Sequence, residues 1–189
     1  MLDKTIHFVG SSCVGKTSVW NLIKDDPTFE HYAFVESLSR KLLREGKISA
    51  NYNRMEDQQA IFDAYFNLLT SGDGEHAFYM SDRCVLDVVS FTHTLYIHLF
   101  QSNEKFRQEA KRQARMTVEH KDSLGFVFYF PPYWKVESDG ERLDNERFRW
   151  KWDLQLRLFM QHNKIPFIAV PNVSPIERVE FIKQTLNNL

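Results

Sequence analysis

Residues 10–17 are the first part of this chain with a pattern that can do chemistry. They read Gly-Ser-Ser-Cys-Val-Gly-Lys-Thr and satisfy G-x-x-x-x-G-K-[ST] at every position. The glycines let the backbone wrap a phosphate with its N–H groups, and a helix that begins there adds partial positive charge. Lys16 supplies a cation to the β- and γ-phosphates, and the Thr17 hydroxyl can ligate Mg²⁺. The pattern predicts a nucleotide site formed by Gly10, Ser11, Ser12, Cys13, Val14, Gly15, Lys16, Thr17 and Ser18.

A second candidate is the sequence Ser-Asp-Arg at residues 81–83, which follows a short apolar segment. An acid at the carboxyl end of a strand beside a phosphate loop lies in the crevice where doubly wound sheets bind ligands. Asp82 can hold Mg²⁺ through water, or it can accept a proton from an attacking hydroxyl. Arg83 can brace a phosphate of either substrate. We therefore predict both residues as catalytic, and Asp82 as a metal ligand together with Thr17.

The acceptor side of the site is predicted from residues near the second apolar segment. Glu36 directly follows that segment, as Asp82 follows its own. Arg40, one helical turn later, shares the face of Glu36 and can contact an anionic acceptor. Arg54 and Gln58 lie in a loop and helix start that could cover a base. We expect Glu36 to be catalytic, and all four residues to bind the acceptor.

A polar segment near 135–149 is predicted as a lid over the phosphates. It follows the fourth apolar segment and carries interspersed arginines. Arginine in such a lid neutralises the charge of the transition state, an effect of about 10³–10⁵ in rate where it operates. We predict Arg142 as a catalytic lid residue, and Arg147 and Arg149 as substrate contacts.

Short apolar segments alternate with helical patterns along the whole chain, which predicts an α/β fold with a parallel sheet. No repeat or low-complexity stretch divides the sequence, so residues 1–189 are expected to form one domain. Strands are predicted at 5–9, 31–35, 77–80, 125–130 and 166–170. Helices are predicted at 15–25, 36–45, 55–70, 85–99 and 104–120, then around 148–159 and after Ser174.

Composition narrows the class of protein. The formal net charge is -1, which argues against a protein that coats nucleic acid by bulk charge. The two cysteines exclude a disulfide scaffold and an all-cysteine zinc site. No apolar run approaches the length of a membrane span, and the first residues lack the order of a signal peptide. We expect a soluble, cytoplasmic protein without a membrane partner.

A nucleotide site is compatible with a GTPase, a mechanical or regulatory ATPase, or a kinase. GTPases of the usual kind read guanine with N-K-x-D after a strand, whereas the only Asn-Lys here precedes a predicted strand. Mechanical AAA+ ATPases need a helical lid domain, and the short stretch after the fifth predicted strand leaves no room for one. A kinase that acts on a small acceptor fits best.

These residues make the chain resemble the P-loop kinases of the nucleoside and nucleotide kinase superfamily. The most similar subgroup is labelled AAA-type ATP-binding domains and includes the ribosylnicotinamide kinase domain and many bacteriophage proteins. The resemblance covers nearly the whole chain and rests on residues 10–17, Glu36 with Arg40, Asp82 and Arg83 with Asp87, and Asp139 and Gly140 with Arg142.

The resemblance implies a three-layer P-loop kinase fold with strand order 2-3-1-4-5. It also implies ATP with Mg²⁺ as the donor, and a nucleoside or nucleotide as the acceptor. The compact chain and its Ser-Ser-Cys-Val loop favour a deoxynucleoside monophosphate kinase. For a phage protein the location would be the host cytoplasm.

Two other functions remain open from the sequence. One is a kinase that acts on DNA, on a strand end or a modified base, and binds single strands through the basic segment 105–115. The other is a regulatory module that binds ATP and a partner protein without a small acceptor. Both a monomer and a homodimer are compatible with the sequence.

Overall fold

The computed structural model describes residues 4–50, 53–72, 78–133 and 146–188. In these residues five strands form one parallel sheet, in the order β2-β3-β1-β4-β5. This confirms the predicted fold class and strand order. The strands are β1 (Ile6–Val9), β2 (Ala33–Val35), β3 (Tyr79–Asp82), β4 (Phe126–Tyr129) and β5 (Ile168–Ala169).

The predicted helices are present, with boundaries that differ by a few residues at most. Their ends carry the expected caps: the Asn103 side chain accepts from the Phe106 N–H at 3.0 Å, and Ser174 and Glu177 form a reciprocal capping box. The helices are α1 (Lys16–Lys24), α2 (Leu38–Arg44), α3 (Met55–Ser71), α4 (Val85–Leu99), α5 (Glu104–Glu119), α6 (Glu146–His162) and α7 (Pro175–Asn187).

Some strand boundaries differ from the prediction for local reasons. β2 begins at Ala33 rather than at residue 31, because the Tyr32 N–H donates to the Phe29 carbonyl at 2.9 Å in a turn. β3 extends to Asp82, because Asp82 is in register with Phe8 of β1. This extension makes Asp82 part of the sheet edge rather than of the loop that follows it.

The sheet separates two apolar cores, as alternating side chains on a strand require. Val9 of β1 packs in one core with side chains of α3, α4 and α6. Phe8, its neighbour, packs in the other core with side chains of α1 and α7. The molecule is therefore a three-layer α/β/α structure, and the phosphate loop emerges from its central strand. None of the helices in the described ranges combines the length and apolarity needed to cross a bilayer.

A buried histidine lies in the middle of this sheet. His7 of β1 is 1% exposed, and its Nδ1 forms a 2.7 Å hydrogen bond with Ser81 Oγ of β3. Within the described residues, its Nε2 has no hydrogen-bond partner. Burial lowers the pKa of His7 from 6.5 to about 4, because the interior disfavours the charged imidazolium.

We expect this histidine to make stability fall on acidification. The unfolded chain takes up a proton near pH 6.5, whereas folded His7 resists protonation down to about pH 4. The contribution of His7 to the free energy of unfolding is therefore complete above the unfolded pKa. It is lost as the pH falls from about 6.5 to about 4, and the total loss is about 3 kcal/mol. Denaturant unfolding of the native chain and of His7→Asn measures this difference. An identical pH dependence in the two proteins would contradict the buried neutral state.

Candidate active site

The phosphate loop connects β1 to α1 with a backbone that only certain residues adopt easily. Gly10, Cys13 and Gly15 have φ values of 148°, 56° and 85°. A β-carbon on Gly10 would lie 2.6 Å from the Phe130 carbonyl oxygen, so no side chain fits there. Gly15 directs the chain into α1, whose first residue is Lys16. The loop thus has the strand–turn–helix setting in which backbone N–H groups bind phosphate.

The Lys16 ammonium lies against this loop. Its Nζ donates to the carbonyl oxygens of Gly10 at 2.6 Å and Ser11 at 2.7 Å, and the side chain is buried. The Ser11 hydroxyl is also buried, and within the part of the chain described it has no hydrogen-bond partner. Thr17 is half-buried and Ser18 is exposed. A buried cation and an unsatisfied hydroxyl therefore lie in one turn at the end of β1.

Asp82 lies at the edge of the sheet beside this loop. It is the last residue of β3, which pairs directly with β1, and it is 7% exposed. Its Oδ1 is buried and finds no hydrogen-bond partner among the residues of the described ranges. A buried carboxylate oxygen is costly when it has no partner, so this atom is suited to a cation or a proton donor.

The surroundings of Asp82 fit Mg²⁺. No group of three or more His, Cys, Asp or Glu side chains in the described ranges could hold a metal on its own. Mg²⁺ uses one or two carboxylates together with waters and substrate phosphates, rather than a cage made only of protein. The Asp82 carboxylate at the end of β3 and the Thr17 hydroxyl in the first turn of α1 are the donors that such an ion would use.

Arg83 turns back towards the phosphate loop. Its φ of 86° is unusual for a residue with a side chain, and its N–H donates to the Phe8 carbonyl at 3.0 Å. Its Nη1 lies 3.4 Å from both the Gly10 carbonyl and Asp87 Oδ1. The guanidinium also lies over the Trp152 ring, 5.1 Å from the centroid. The Arg83 side chain therefore contacts the phosphate loop at Gly10 and stabilises it.

Asp87 is a site residue for which the sequence pattern predicted no role. It is 2% exposed, and its Oδ1 accepts from the Gly10 N–H at 3.0 Å. Its Oδ2 accepts from the Cys84 N–H at 3.1 Å, which caps α4. Burial raises the pKa of Asp87, while Arg83 and Lys16 oppose that rise. The sequence signal was an acid in the first turn of a helix, which is usually read as a cap alone.

The residues at the end of β2 that were predicted to bind an acceptor are more open. β2 pairs with β3 in parallel, so Glu36, which follows β2, and Asp82, which ends β3, lie at the same edge of the sheet. The Glu36 carboxylate is exposed and lies 3.3 Å from the Arg44 guanidinium. Arg40 is half-buried on α2. The structure thus brings Glu36 to the edge that carries the phosphate loop, and it adds Arg44 as the partner of Glu36.

Arg54 and Gln58, predicted to cover a base, differ in their surroundings. Arg54 is exposed at the start of α3, with its Nε 3.8 Å from the Glu56 carboxylate. Gln58 is 1% exposed, and its Oε1 accepts from Thr92 Oγ1 of α4 at 3.1 Å. Gln58 therefore bonds α3 to α4 in the interior of the protein.

The predicted lid is described only from residue 146 onward, and Arg142 lies outside the described residues. Arg147 is exposed in the first turn of α6. Arg149 is buried at 1% exposure, with its Nη2 3.7 Å from the Glu146 carboxylate and its guanidinium 5.7 Å from the Trp150 ring centroid. The two arginines therefore occupy different environments, and only Arg147 is open to solvent.

Comparison with known proteins places this chain in a family. Residues 5–178 match the family model described as an AAA domain, which covers most of the chain. No curated protein matches the sequence.

Several solved structures share the fold at low sequence identity. Deoxyadenosine kinase from M. mycoides with bound dATP matches with a TM-score of 0.73 at 17% identity, over 97% of this chain and 99% of that one. NadR protein in complex with NR matches with a TM-score of 0.71 at 13% identity, over 98% of this chain and 50% of that one. Thymidylate kinase from Candida albicans matches with a TM-score of 0.67 at 12% identity, over 98% of this chain and 91% of that one.

These similarities agree with the resemblance inferred from the phosphate loop and the strand-end Asp82. The matched family region spans the loop, the whole sheet and the first turn of α7. The chain belongs to the AAA domain family, and its fold is that of the P-loop nucleoside and nucleotide kinases.

Proposed function

We propose that this protein is an ATP-dependent kinase that transfers the γ-phosphoryl group to a nucleoside or nucleotide. One observation carries the proposal: a complete phosphate loop lies beside a buried carboxylate oxygen of Asp82 that has no partner in the described residues. The kinase names of the structures that share the fold support the same class.

On the donor side, the loop N–H groups and Lys16 hold the phosphates of ATP. Lys16 neutralises charge on the β- and γ-phosphates, while Arg83 after β3 and Asp87 of α4 keep the loop in shape. Catalysis in this class depends on positioning and electrostatics, so a rigid loop matters as much as its charge. Asp82 and the Thr17 hydroxyl would hold Mg²⁺, which when bound would neutralise charge on the phosphate oxygens.

On the acceptor side, Glu36 and Asp82 orient the attacking group. An acceptor oxygen forms a bond to the γ-phosphorus while the bond to the β–γ bridging oxygen breaks, and ADP leaves with the bond electrons. For an acceptor hydroxyl, the proton passes to Glu36 or Asp82. For an acceptor phosphate, no proton transfer is required. Arg142, Arg147 and Arg149 are proposed lid contacts to the transferring group.

The finer proposal is a deoxynucleoside monophosphate as acceptor. Support comes from a cation near the end of β2, because Arg40 lies on α2 one helical turn after Glu36 and could meet an acceptor phosphate. One structure of similar fold is a deoxyadenosine kinase with dCMP and a flexible dCDP bound as products, and the dCDP supports a monophosphate as acceptor here.

The described ion pairs weaken the alternative of a kinase acting on DNA. In α5, Arg107 pairs with Glu104 at 2.8 Å, and Arg112 pairs with Glu109 at 2.7 Å and Asp63 at 2.9 Å. Arginines already neutralised by carboxylates contribute little to binding a phosphate backbone. The basic segment 105–115 is therefore better explained as a charged helix face.

ADP release from ATP and Mg²⁺ tests the proposal across nucleosides, nucleoside monophosphates and short DNA strands. We expect stimulation by one or a few deoxynucleoside monophosphates and no response to DNA. A response to DNA alone would support the polynucleotide alternative. Tight ATP binding without any stimulation would support a regulatory module and overturn the kinase.

A further inference from the structure

A buried arginine of the C-terminal helix contacts the back of the phosphate loop. Arg178 of α7 is 2% exposed, and its Nη1 donates to the Val14 carbonyl oxygen at 3.0 Å. The Val14 side chain is itself buried in the core beneath α1 and α7. Both the side chain and the carbonyl of Val14 are thus held by the protein interior.

The position of this carbonyl determines where the next N–H points. In a trans peptide the C=O and the N–H of the same unit point in opposite directions. The Val14 carbonyl and the Gly15 N–H belong to one such unit, and the chain contains no cis peptide in its described part. A carbonyl directed at Arg178 therefore directs the Gly15 N–H to the opposite side, away from α7.

The surroundings of Arg178 keep its guanidinium in place. It lies 5.9 Å from the centroid of the Phe130 ring and 6.0 Å from that of Tyr133. Tyr133 is fixed in turn, because its hydroxyl donates to the Val170 carbonyl at 3.1 Å. Residues that follow β4 and β5 thus hold Arg178 in place. Each of the two aromatic rings stabilises the nearby guanidinium through a cation–π interaction.

We propose that Arg178 is a positioning residue of the phosphate loop, which aims the Gly15 N–H at the bound phosphates of a nucleotide. The inference rests on the proposed function, because it assumes that this loop binds nucleotide phosphates. The loop is then held at two places. Arg83 and Asp87, which lie just before and within the first turn of α4, hold Gly10, and Arg178 of α7 holds Val14.

Calorimetric titration of ADP with Mg²⁺ into the full chain tests this role. Arg178→Ala should weaken ADP binding about ten- to hundredfold, since the loop loses a charge-assisted hydrogen bond that orders it. Lys183→Ala is the matched control, because it removes another α7 cation whose partners, Asp26 at 2.5 Å and Glu180 at 3.3 Å, lie outside the loop. It should bind ADP like the native chain.

Chemical rescue separates positioning from a general structural role. Millimolar guanidinium chloride should restore much of the ADP affinity of Arg178→Ala, and sodium chloride at equal ionic strength should not. If Arg178→Ala does not fold, Arg178→Lys decides the question, because a lysine keeps the charge without the planar fork. A several-fold loss of affinity is then expected.

The outcomes distinguish this inference from the proposed function. Native ADP affinity in a folded Arg178→Ala or Arg178→Lys protein would overturn the role of Arg178 alone. A loss that guanidinium fails to restore, in a variant that is folded, would also overturn it. Absence of ADP and ATP binding by the native chain would overturn the proposed function itself.

Discussion

Replacing Lys16 by alanine is expected to lower the rate of phosphoryl transfer by about 10³-fold or more. The ammonium is the cation of the phosphate loop, and its charge is required most when negative charge shifts between the γ- and β-phosphates. In the structure it donates to the Gly10 and Ser11 carbonyls, so it is already held within the loop. Steady-state kinetics with a responsive acceptor measures the change.

The same substitution should leave the fold nearly intact. It removes two hydrogen bonds to backbone carbonyls, a loss of about 1–2 kcal/mol in the free energy of unfolding. Lys24→Ala is the matched control, because Lys24 is an exposed cation in the last turn of the same helix. The control should turn over normally. A Lys16→Ala protein with native turnover would contradict the assignment of the loop.

Replacing Asp82 by asparagine is expected to lower the rate by about 10²-fold or more, since the change removes one charge and preserves the shape of the side chain. Asp82 Oδ1 has no hydrogen-bond partner in the described residues, so no protein contact of that atom is broken. We therefore expect unchanged or slightly increased stability, and a higher Mg²⁺ concentration for half-maximal activity. Titration of activity with Mg²⁺ measures the maximal rate and the Mg²⁺ requirement, and denaturant unfolding measures the stability.

Asp122→Asn controls for the loss of a carboxylate, because Asp122 is exposed in the short turn before β4. It should change neither the maximal rate nor the Mg²⁺ requirement. Native activity and native Mg²⁺ dependence in Asp82→Asn would show that this carboxylate neither binds metal nor takes part in proton transfer. Glu36 would then be the remaining candidate acid at this sheet edge.

Local sequence patterns were enough to predict the strands, the helices and the loop, while the strand order came from the resemblance to a known family. The strands are short apolar runs that end at glycine, proline or polar residues, and the helices have regular apolar spacing with recognisable caps. The glycine positions of residues 10–17 follow from backbone geometry that the structure shows directly. Asp82 could be placed beside the loop because parallel strands end at a common edge.

Side-chain partners across the fold could not be predicted in the same way. Arg178 and Val14 are 164 positions apart, and Asp87 reaches Gly10 from 77 positions away. Nothing in the local pattern of either residue indicates its partner, because the contact depends on how the helices pack on the sheet. Gln58 is a second example, since the hydrogen bond of its side chain to Thr92 of α4 could not be predicted from its place at the start of α3.

The direction of Arg83 also depends on tertiary structure. A positive φ turns its side chain towards Gly10 and Asp87, where a residue in ordinary extended backbone would project differently. The residue type of Arg83 alone indicated a contact to a phosphate, but it did not indicate which groups the side chain would contact. The predicted role of Arg142 stays a prediction, because that residue lies outside the described ranges.

Transfer of label from γ-labelled ATP, with Mg²⁺ present, to a mixture of deoxynucleoside monophosphates tests the central claim most directly. Separation of the products shows where the labelled phosphoryl group resides. We expect label in a deoxynucleoside diphosphate with the native chain, and none with Asp82→Asn or Lys16→Ala over the same time. Label that stays in ATP or appears only as inorganic phosphate, with the native chain folded and ATP bound, would contradict the account.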